Sequence, residues 1–351
     1  MAIVPSPLWM PHFHADRRGR LLVRNLVRDA LRNLLAADGF LEVDTPILQV
    51  SPGNEAHIAG FATQFFDGSG PAQLLYLHSS PEFACKKLLA AGEERIFSLG
   101  HVFRNRERGP LHHPEFTMLE WYRAHRPYTE VMSDCAAMLK AAARAAGAQA
   151  LQYRGRAADP FAEPERLAVA EAFQRHAGIS LEPLLPDGAG EPRDRFARLA
   201  EQAGVRTTTD DTWSDIFSKV LTQCIEPHLG LGRPTLLMDY PAREAALARL
   251  NPDDPRFAER FELYACGVEL ANGFGELTDA AEQRRRLEAE MVEKQRIYGE
   301  TYPLDEDFLN ALCHMPEASG CALGFDRLVM LVTGAARIED VLWAPVAEAG
   351  A

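Results

Sequence analysis

Several groups of residues have types and spacings that could bind a charged ligand. The first lies between Phe97 and Arg123, where two apolar runs flank a polar loop containing Gly109-Pro110. This pattern predicts an antiparallel hairpin with a long tip. Because side chains alternate along a strand, one face of the second run carries Phe116, Met118, Glu120 and Tyr122. Arg104 could offer a guanidinium to a phosphate, although an ordinary exposed polar face explains the pattern equally well.

A second group consists of three carboxylates spaced by seven residues, Glu262, Glu269 and Glu276. They lie on a predicted hairpin from Arg260 to Leu277 with Cys266-Gly267 at its turn. Acidic residues on otherwise apolar strands are costly unless they are paired with cations. These carboxylates therefore either face solvent or bind a metal ion and an amine.

Two further groups stand at predicted helix starts. Ser80, Pro81 and Glu82 fit the N-cap, the first helical position and the first turn of a helix over Phe83–Ala91. Near the C-terminus, a glycine-containing strand in Ser319–Met330 would let a ligand approach the backbone, and the next helix presents Arg327. Glu82 could also be a plain helix-start carboxylate, and Arg327 a surface arginine.

The remaining pattern supplies a framework for these groups. Apolar residues recur at helical spacing from Leu21 up to Asp38-Gly39, whereas residues 1–18 are predicted to be irregular. An alternating run over residues 40–48 predicts a strand that ends near Pro46. Other strands are predicted over 73–78 and 233–240, and other helices over 134–150, 166–177, 194–203 and 213–225.

Composition excludes some classes of protein. The chain has 351 residues, 47% of them hydrophobic, and a net charge of −13, which argues against wrapping nucleic acid. The six cysteines form no CxxC pair, so reduced thiols in a cytoplasmic protein are the simplest interpretation. The first twenty residues do not resemble a signal peptide, and no run of about 18 apolar residues predicts a membrane span.

Phe103-Arg104-Asn105 and the run His112–Tyr122 resemble motif 2 of class II aminoacyl-tRNA synthetases, with the lysyl type nearest. The helix and strand before Pro46 resemble motif 1, which builds the dimer interface in that family, and residues 319–330 resemble motif 3. The resemblance implies an α+β catalytic fold, with an antiparallel sheet of six or seven strands flanked by helices. It further implies one catalytic domain over residues 1–351, a helical insertion at about 134–232 between motifs 2 and 3, and a homodimer.

The resemblance also implies a site for ATP, Mg²⁺ and a basic amino acid. Arg104 and Arg327 are the implied catalytic residues, and Glu262 and Glu269 the implied Mg²⁺ ligands. The implied ATP-binding residues are Arg104, Asn105, Glu107, His112, Phe116, Glu262, Glu269, Gly324 and Arg327. The implied substrate-binding residues are Ser80, Glu82, Glu120, Tyr122, Asn272, Glu276 and Ala322. In this assignment Glu276 pairs with the side-chain ammonium of lysine, and Phe116 and Arg327 enclose adenine.

Lysyl-tRNA synthetases also have an anticodon-binding domain of over a hundred residues, for which this sequence leaves no room beside the motifs. The sequence therefore looks like the elongation factor P–lysine ligase family, which activates lysine, preferably (R)-β-lysine, and transfers it to elongation factor P. Ala322 supports this choice, because lysyl-tRNA synthetases have glycine there and the methyl group would crowd an α-amine. No tRNA and no membrane partner is then expected.

Two positions depart from the synthetase pattern. Arg106 stands where most members have glutamate, so Glu107 is expected to take over its adenine contact, and His113 stands where asparagine is usual. Three alternatives stay open: a truncated synthetase that acts on tRNA, an enzyme that forms an amide of a small molecule, and an inactive regulatory paralogue. The acidic charge argues against action on tRNA, and the third glutamate argues for a basic substrate and against the small-molecule enzyme. The intact Arg104 and Arg327 argue against an inactive paralogue.

Overall fold

The computed structural model describes residues 9–66, 68, 70–185 and 192–347. Its helices are α1 (Pro11–Ala37), α2 (Glu82–Ala90), α3 (Tyr128–Ala146), α4 (Val169–Ala177), α5 (Arg193–Gln202), α6 (Trp213–Val220), α7 (Ala280–Tyr298), α8 (Glu306–Leu312) and α9 (Phe325–Thr333). Its strands are β1 (Leu41–Glu42), β2 (Leu48–Gln49), β3 (Phe61–Phe65), β4 (Gln73–Leu77), β5 (Arg95–Phe103), β6 (Glu115–Ala124), β7 (Leu151–Tyr153), β8 (Arg156–Ala158), β9 (Glu165–Ala168), β10 (Thr235–Pro241), β11 (Phe257–Ala265), β12 (Val268–Gly275) and β13 (Ala318–Gly324).

A large mixed sheet forms the centre of the fold. In the described residues it has eight strands in the order β1-β5-β6-β13-β12-β11-β10-β9. Every pair from β5 to β10 is antiparallel, whereas the edge strands β1 and β9 pair in parallel. The expected antiparallel sheet flanked by helices is thus confirmed, but the expected count of six or seven strands omitted a parallel edge.

The two predicted hairpins form as their sequences indicate. β5 pairs with β6, and β11 pairs with β12 through the turn at Cys266-Gly267, where both residues have a positive φ angle (57° and 71°). Glycine adopts such a backbone without strain, and this explains its place in the tight turn. Leu119 and Trp121 point into the main core, so the opposite face of β6 is left for Phe116, Met118 and Glu120.

Four apolar clusters surround the sheet in the described part of the chain, and the smallest consists of Ala245, Ala248 and Ala258. The main one joins the sheet to α1, α3 and α9, a second one is built on α4, α5 and α6, and a third one joins α2 to α8. The expected insertion over 134–232 therefore contains most of α3, which packs on the sheet, together with strands β7 to β9 and the part of the second cluster that lies outside β10 and β11. Its limits as a separate unit remain a prediction.

The N-terminal region differs from the prediction in two ways. α1 begins at Pro11, ten residues before Leu21, because proline suits the first helical turn and the buried Arg17 donates to the carbonyls of Glu339 and Leu342. Residues 40–48 form only the short strands β1 and β2, with Pro46 between them. Proline lacks the N–H that a strand ladder needs. Residues 1–8, predicted to be irregular, lie outside the described residues.

A buried ion pair connects α1 to the β5–β6 hairpin and to the start of α9. The Arg24 guanidinium contacts the Asp326 carboxylate at the start of α9 and donates to Thr117 Oγ1 on β6 at 2.7 Å. The second Asp326 oxygen accepts the backbone N–H of Thr117 at 2.7 Å. Arg24 and Asp326 are both buried, so each charge depends on the other.

We expect Arg24→Met to lower the free energy of unfolding by about 3–5 kcal/mol, because it leaves the Asp326 carboxylate buried without a cation. The measurement is chemical denaturation followed by circular dichroism. Arg32→Met is the matched control on the same helix, since Arg32 pairs with Glu42 on the surface, and should cost about 1 kcal/mol or less. Equal losses in the two variants would contradict this account.

Candidate active site

The register of the central strands brings predicted site residues from four strands into one row. Glu120 of β6 pairs with Ala322 of β13, Ala322 with Asn272 of β12, and Asn272 with Glu262 of β11. Paired residues of adjacent strands point to the same face of a sheet. Residues that are far apart in sequence thus meet on one surface without any loop rearrangement.

A cavity of about 350 Å³ lies over this row. All of the predicted site residues line it except Asn105, Tyr122 and Glu276. The lining members of the prediction are Ser80, Glu82, Arg104, Glu107, His112, Phe116, Glu120, Glu262, Glu269, Asn272, Ala322, Gly324 and Arg327. Tyr122 and Glu276 lie directly behind the wall, where they contact residues of the amine end described below.

One end of the cavity is suited to an anion. The guanidinium of Arg104 lies 5.4 Å from the centre of the Phe116 ring, and within the described residues its Nε is buried without a hydrogen-bond partner. No carboxylate of the described chain forms an ion pair with it. A half-buried guanidinium with no ion-pair partner in the described chain has donors free for a phosphate or a carboxylate.

Arg327 is held at the same end by three acceptors. It donates to the carbonyls of Glu269 at 2.9 Å and Leu111 at 3.3 Å, and its Nη2 lies 2.9 Å from His112 Nε2. Burial and the charge of Arg327 lower the pKa of His112, so this imidazole is neutral at pH 7 and accepts the hydrogen bond. The plane of the guanidinium is thereby fixed at the cavity wall.

Glu262 and Glu269 form the acidic part of this end. Glu262 is clamped on both oxygens, by Arg260 at 2.6 Å and by the Tyr264 hydroxyl at 2.6 Å, whereas the Glu269 side chain is 42% exposed. Glu226, which sequence analysis missed, stands close by. Burial raises its pKa to about 7, and the charges of Glu262 and Glu269 add to this rise.

The implied Mg²⁺ would depend on Glu262 and Glu269. In the described residues, no group of three or more His, Cys, Asp or Glu side chains is arranged to hold a metal ion. Mg²⁺ fits nevertheless, because proteins commonly bind it through one or two carboxylates while phosphates and water supply its other ligands. Glu262 and Glu269 can provide those carboxylates only as part of a complex with a phosphate ligand.

The other end of the cavity is suited to an amine. Glu120 is buried and accepts hydrogen bonds from the Ser80 hydroxyl at 2.5 Å and the Tyr122 hydroxyl at 2.9 Å. Burial raises the pKa of Glu120 to about 8, with the charges of Glu82 and Glu276 adding to the rise and the two hydrogen bonds opposing it. An entering ammonium would favour the ionised carboxylate.

Lys86 is a residue of this end that sequence analysis did not single out. Its ammonium lies 2.6 Å from Glu82 and 2.6 Å from Glu276, and its side chain is fully buried. Glu82 and Lys86 are four residues apart, which places them one turn apart on the same side of α2. The sequence predicts that Glu276 binds the ammonium group of a ligand, but one of its oxygens is already paired with Lys86.

Gly320 makes room for this arrangement on β13. A Cβ atom at Gly320 would lie 2.4 Å from the Tyr122 ring and 2.5 Å from Glu276 Oε1. Distances below about 3 Å are not tolerated, so a side chain here would displace Tyr122 or Glu276. At Gly324 the nearest atom to an added Cβ is 3.6 Å away. Packing within the described protein therefore leaves room for a Cβ atom at Gly324 and does not explain why this residue is glycine.

The departures from the synthetase pattern have structural roles. Arg106 points away from the cavity, toward Glu300 at 3.4 Å and the Tyr298 ring, while Glu107 lines the cavity as expected. Asn105 does not line it, because its side chain accepts the backbone N–H of Arg106, whose φ angle is positive. His113 is buried, donates to the carbonyl of Glu115 and accepts the N–H of Val346.

Comparison with known proteins agrees with this architecture. The family description "tRNA synthetases class II (D, K and N)" matches residues 9–348. The chain belongs to the class II tRNA synthetase family. Membership of this family implies the use of ATP, and the cavity with Arg104 and Arg327 at one end has donors for its phosphates.

Relatives within the class II synthetase family match along almost their whole length. A protein named elongation factor P–(R)-β-lysine ligase from Yersinia enterocolitica is 38% identical over 331 residues, covering 94% of this chain and 95% of its own. Proteins of the same name are 39% identical in Edwardsiella ictaluri, covering 92% and 93%, and 37% identical in Proteus mirabilis, covering 95% and 98%.

Two general expectations can also be compared with the structure. All six cysteines are free thiols, with Cys135 and Cys321 sulfurs 3.8 Å apart in the core. Within the described residues, every helix is too short or too polar to cross a lipid bilayer.

The raised pKa of Glu120 makes a prediction about proton release. At pH 7 most of the empty sites carry a proton on Glu120, and an ammonium ligand such as lysine should expel close to one proton per site. Calorimetric titration in two buffers of different ionisation enthalpy measures this number. Affinity should rise about fivefold from pH 7 to pH 8, because the ionised fraction of a carboxyl group with a pKa of about 8 rises by that factor.

Glu120→Gln is the control for this prediction, because the amide cannot ionise. Proton release that persists unchanged in Glu120→Gln would assign the titrating group to another residue.

Proposed function

We propose that the protein uses ATP to activate lysine, preferably (R)-β-lysine, as an aminoacyl-adenylate and transfers it to a lysine side chain of elongation factor P. The observation that carries the proposal is a cavity with an anion-binding end at Arg104 and an amine-binding end at Glu120 and Glu276, in a chain that matches ligases of this name over nearly its whole length. The cytoplasmic location predicted from the free cysteines belongs to the same proposal.

In the first step, a carboxylate oxygen of the amino acid forms a bond to the α-phosphorus of ATP. The bond from that phosphorus to pyrophosphate breaks, and pyrophosphate leaves with the electron pair. Arg104 positions both anions and stabilises the charge that develops between them. Glu262 and Glu269 would hold Mg²⁺, which neutralises phosphate charge when bound. Phe116 and Arg327 enclose adenine, and His112 reaches toward the terminal phosphate.

In the second step, the neutral amine of the acceptor lysine attacks the acyl carbon. A carbon–nitrogen bond forms, the carbon–oxygen bond to the phosphate breaks, AMP leaves, and the amine proton passes to solvent. Throughout both steps, Glu276 pairs with the side-chain ammonium of the activated amino acid, and Glu82 and Glu120 face its other amine. The protein thus contributes mainly position and charge rather than a covalent intermediate.

Ala322 is the residue that separates the proposed β-lysine preference from use of α-lysine. It lies between Glu120 and Asn272 in the row of paired strands and lines the cavity. A methyl group at this place reduces the space beside the amine-binding carboxylates. An amine one carbon further from the carboxylate avoids that crowding.

Ala322→Gly should therefore improve the use of α-lysine relative to (R)-β-lysine by about 10- to 200-fold. The KM for ATP should hardly move, because adenine is bound at the other end of the cavity. The measurement is the ratio of kcat/KM for the two amino acids, obtained by amino-acid-dependent pyrophosphate exchange. If the ratio stays the same, Ala322 is a packing residue and does not select the substrate.

Two assays with the wild-type protein test the proposed function itself. Pyrophosphate exchange with a panel of amino acids should respond to lysine and most strongly to (R)-β-lysine. Transfer of the radiolabelled amino acid should then occur to elongation factor P and not to lysine tRNA or a small amine. Transfer to tRNA would indicate a truncated synthetase, and transfer to a small amine would indicate a biosynthetic enzyme that forms amides. Absence of activity in both assays would indicate an inactive paralogue.

We also propose that the protein is a homodimer through the motif 1 elements. α1 has two apolar faces: Leu21 and Val27 are buried in the core, whereas Leu22 and Leu26 are 42% and 55% exposed. Further exposed apolar residues lie on β1, the segment around β2, and the β3–β4 hairpin: Leu41, Ile47, Leu48, Val50, Phe65 and Leu74. A surface of this kind is typical of an interaction site.

Wild-type protein at micromolar concentration should sediment as a dimer in analytical ultracentrifugation, and Leu26→Asp should shift it toward monomer because the aspartate would desolvate at the interface. Val292→Asp is the control, since Val292 is also exposed (71%) but lies on α7. A monomeric wild type, or a dimer that Leu26→Asp does not weaken, would count against this interface.

A further inference from the structure

Lys86 is an ammonium group inside the amine end of the cavity wall. It comes from α2, its side chain has no exposed surface, and its Nζ bridges Glu82 Oε1 and Glu276 Oε2 at 2.6 Å each. Burial alone would lower the pKa of Lys86, but the charges of Glu276 and Glu82 raise it above its usual value. Lys86 is therefore charged at neutral pH.

The charged groups around Lys86 are few enough to count. α2 contributes Glu82 and the neutral thiol of Cys85, β6 contributes Glu120 and the neutral hydroxyl of Tyr122, and Glu276 follows β12. Within the described chain, Lys86 is the cation that forms ion pairs with Glu82 and Glu276, whereas Glu120 is hydrogen-bonded to the hydroxyls of Ser80 and Tyr122. Arg249 acts on Glu276 only from a distance and is itself paired with Glu259 at 2.6 Å. Glu55 lines the same cavity and acts on Glu82 without a direct contact, and burial raises its pKa, which favours its neutral form.

With every carboxylate ionised, three negative charges and one positive charge leave this end with a net charge of −2. Lysine and β-lysine each carry two ammonium groups, so they match that charge. Without Lys86 the same space would hold −3, and a proton would be taken up instead. Burial already raises the pKa of Glu276 to about 7 while Lys86 is in contact with it. Removal of the Lys86 ammonium would raise this pKa further and leave the carboxyl group largely neutral at pH 7.

We propose that Lys86 is a positioning residue that acts as an internal counter-ion: it balances one of the charges of Glu82 and Glu276 and holds the two carboxylates at a fixed separation, so that their remaining oxygens receive the two ammonium groups of the substrate. This inference rests on the proposed function. Selectivity for an amino acid with two ammonium groups then depends on Lys86, a residue that does not itself contact the substrate. Glu82 and Glu276 are then one unit rather than two independent ligands.

Lys87 provides a matched control on the same helix. Its ammonium also bridges two carboxylates, Asp305 at 2.8 Å and Asp307 at 2.9 Å, but this bridge ties α2 to α8 and lies outside the cavity. A lysine that merely anchors α2 should behave like Lys87. A lysine that sets the charge of the amine end should behave differently in binding and in pH dependence.

The experiment compares Lys86→Met and Lys87→Met in lysine-dependent pyrophosphate exchange from pH 6 to pH 9. Lys86→Met should raise the KM for the amino acid by about 100-fold or more at pH 7, while the KM for ATP changes little. The acid limb of kcat/KM should move up by about one pH unit or more, because Glu276 would be harder to ionise without Lys86. Lys87→Met should leave all three quantities near wild type.

A second variant covers the case in which Lys86→Met does not fold. Lys86→Met/Glu82→Gln removes one charge of each sign, so it should fold and return the acid limb toward that of the wild type. Failure of this double variant to fold, an acid limb that stays shifted in it, or an equal effect of Lys87→Met would overturn the proposal in favour of a structural lysine.

Binding without catalysis separates this inference from the proposed function. Calorimetric titration of lysine, with ATP absent, should show a large loss of affinity in Lys86→Met and little loss in Lys87→Met, even if wild-type protein fails to exchange pyrophosphate. Unimpaired lysine binding by Lys86→Met would reject the counter-ion role. Wild-type exchange activity, by contrast, tests the proposed function alone.

Discussion

The pairing register of β6, β13, β12 and β11 is the constraint on which the cleft depends. Adjacent strands lie about 4.8 Å apart, so three steps from Glu120 to Glu262 span about 14 Å. That distance separates the amine end from the phosphate end. A slip of one residue in any of these pairs would turn that strand's site residues toward the core. The buried residues on the opposite face of the sheet, such as Trp121 and Leu323, hold the register in place.

Much of this arrangement could be predicted from the sequence, because side chains along a strand point alternately to the two faces of the sheet. Alternation in β6 correctly separated Glu120 from Leu119 and Trp121, and Cys266-Gly267 correctly marked the turn between β11 and β12. Resemblance to family motifs added the residues that periodicity alone could not select. The roles assigned to them remain proposals, although most of them line one cavity.

What the sequence did not reveal depends on contacts between distant segments. Lys86 lies beside Lys87 in an unremarkable helix, and its partner Glu276 is 190 positions away, so no local pattern distinguished the two lysines. The early start of α1 likewise depends on Arg17 binding carbonyls near the other end of the chain. Local propensity does not report such tertiary bonds, and a structure was needed to find them.

The contact between Arg24, Thr117 and Asp326 has a consequence for the descent of this chain. One guanidinium on α1 closes a buried network with β6 and the first turn of α9, next to Arg327. Arg24 and Asp326 can therefore change only together, since the loss of either one leaves the other as an unpaired charge in the core. A recombinant of two relatives that exchanges α1 alone would be tolerated only where the residues of this network match between the two parents. The N-terminal helix is in this sense inherited together with the catalytic motifs.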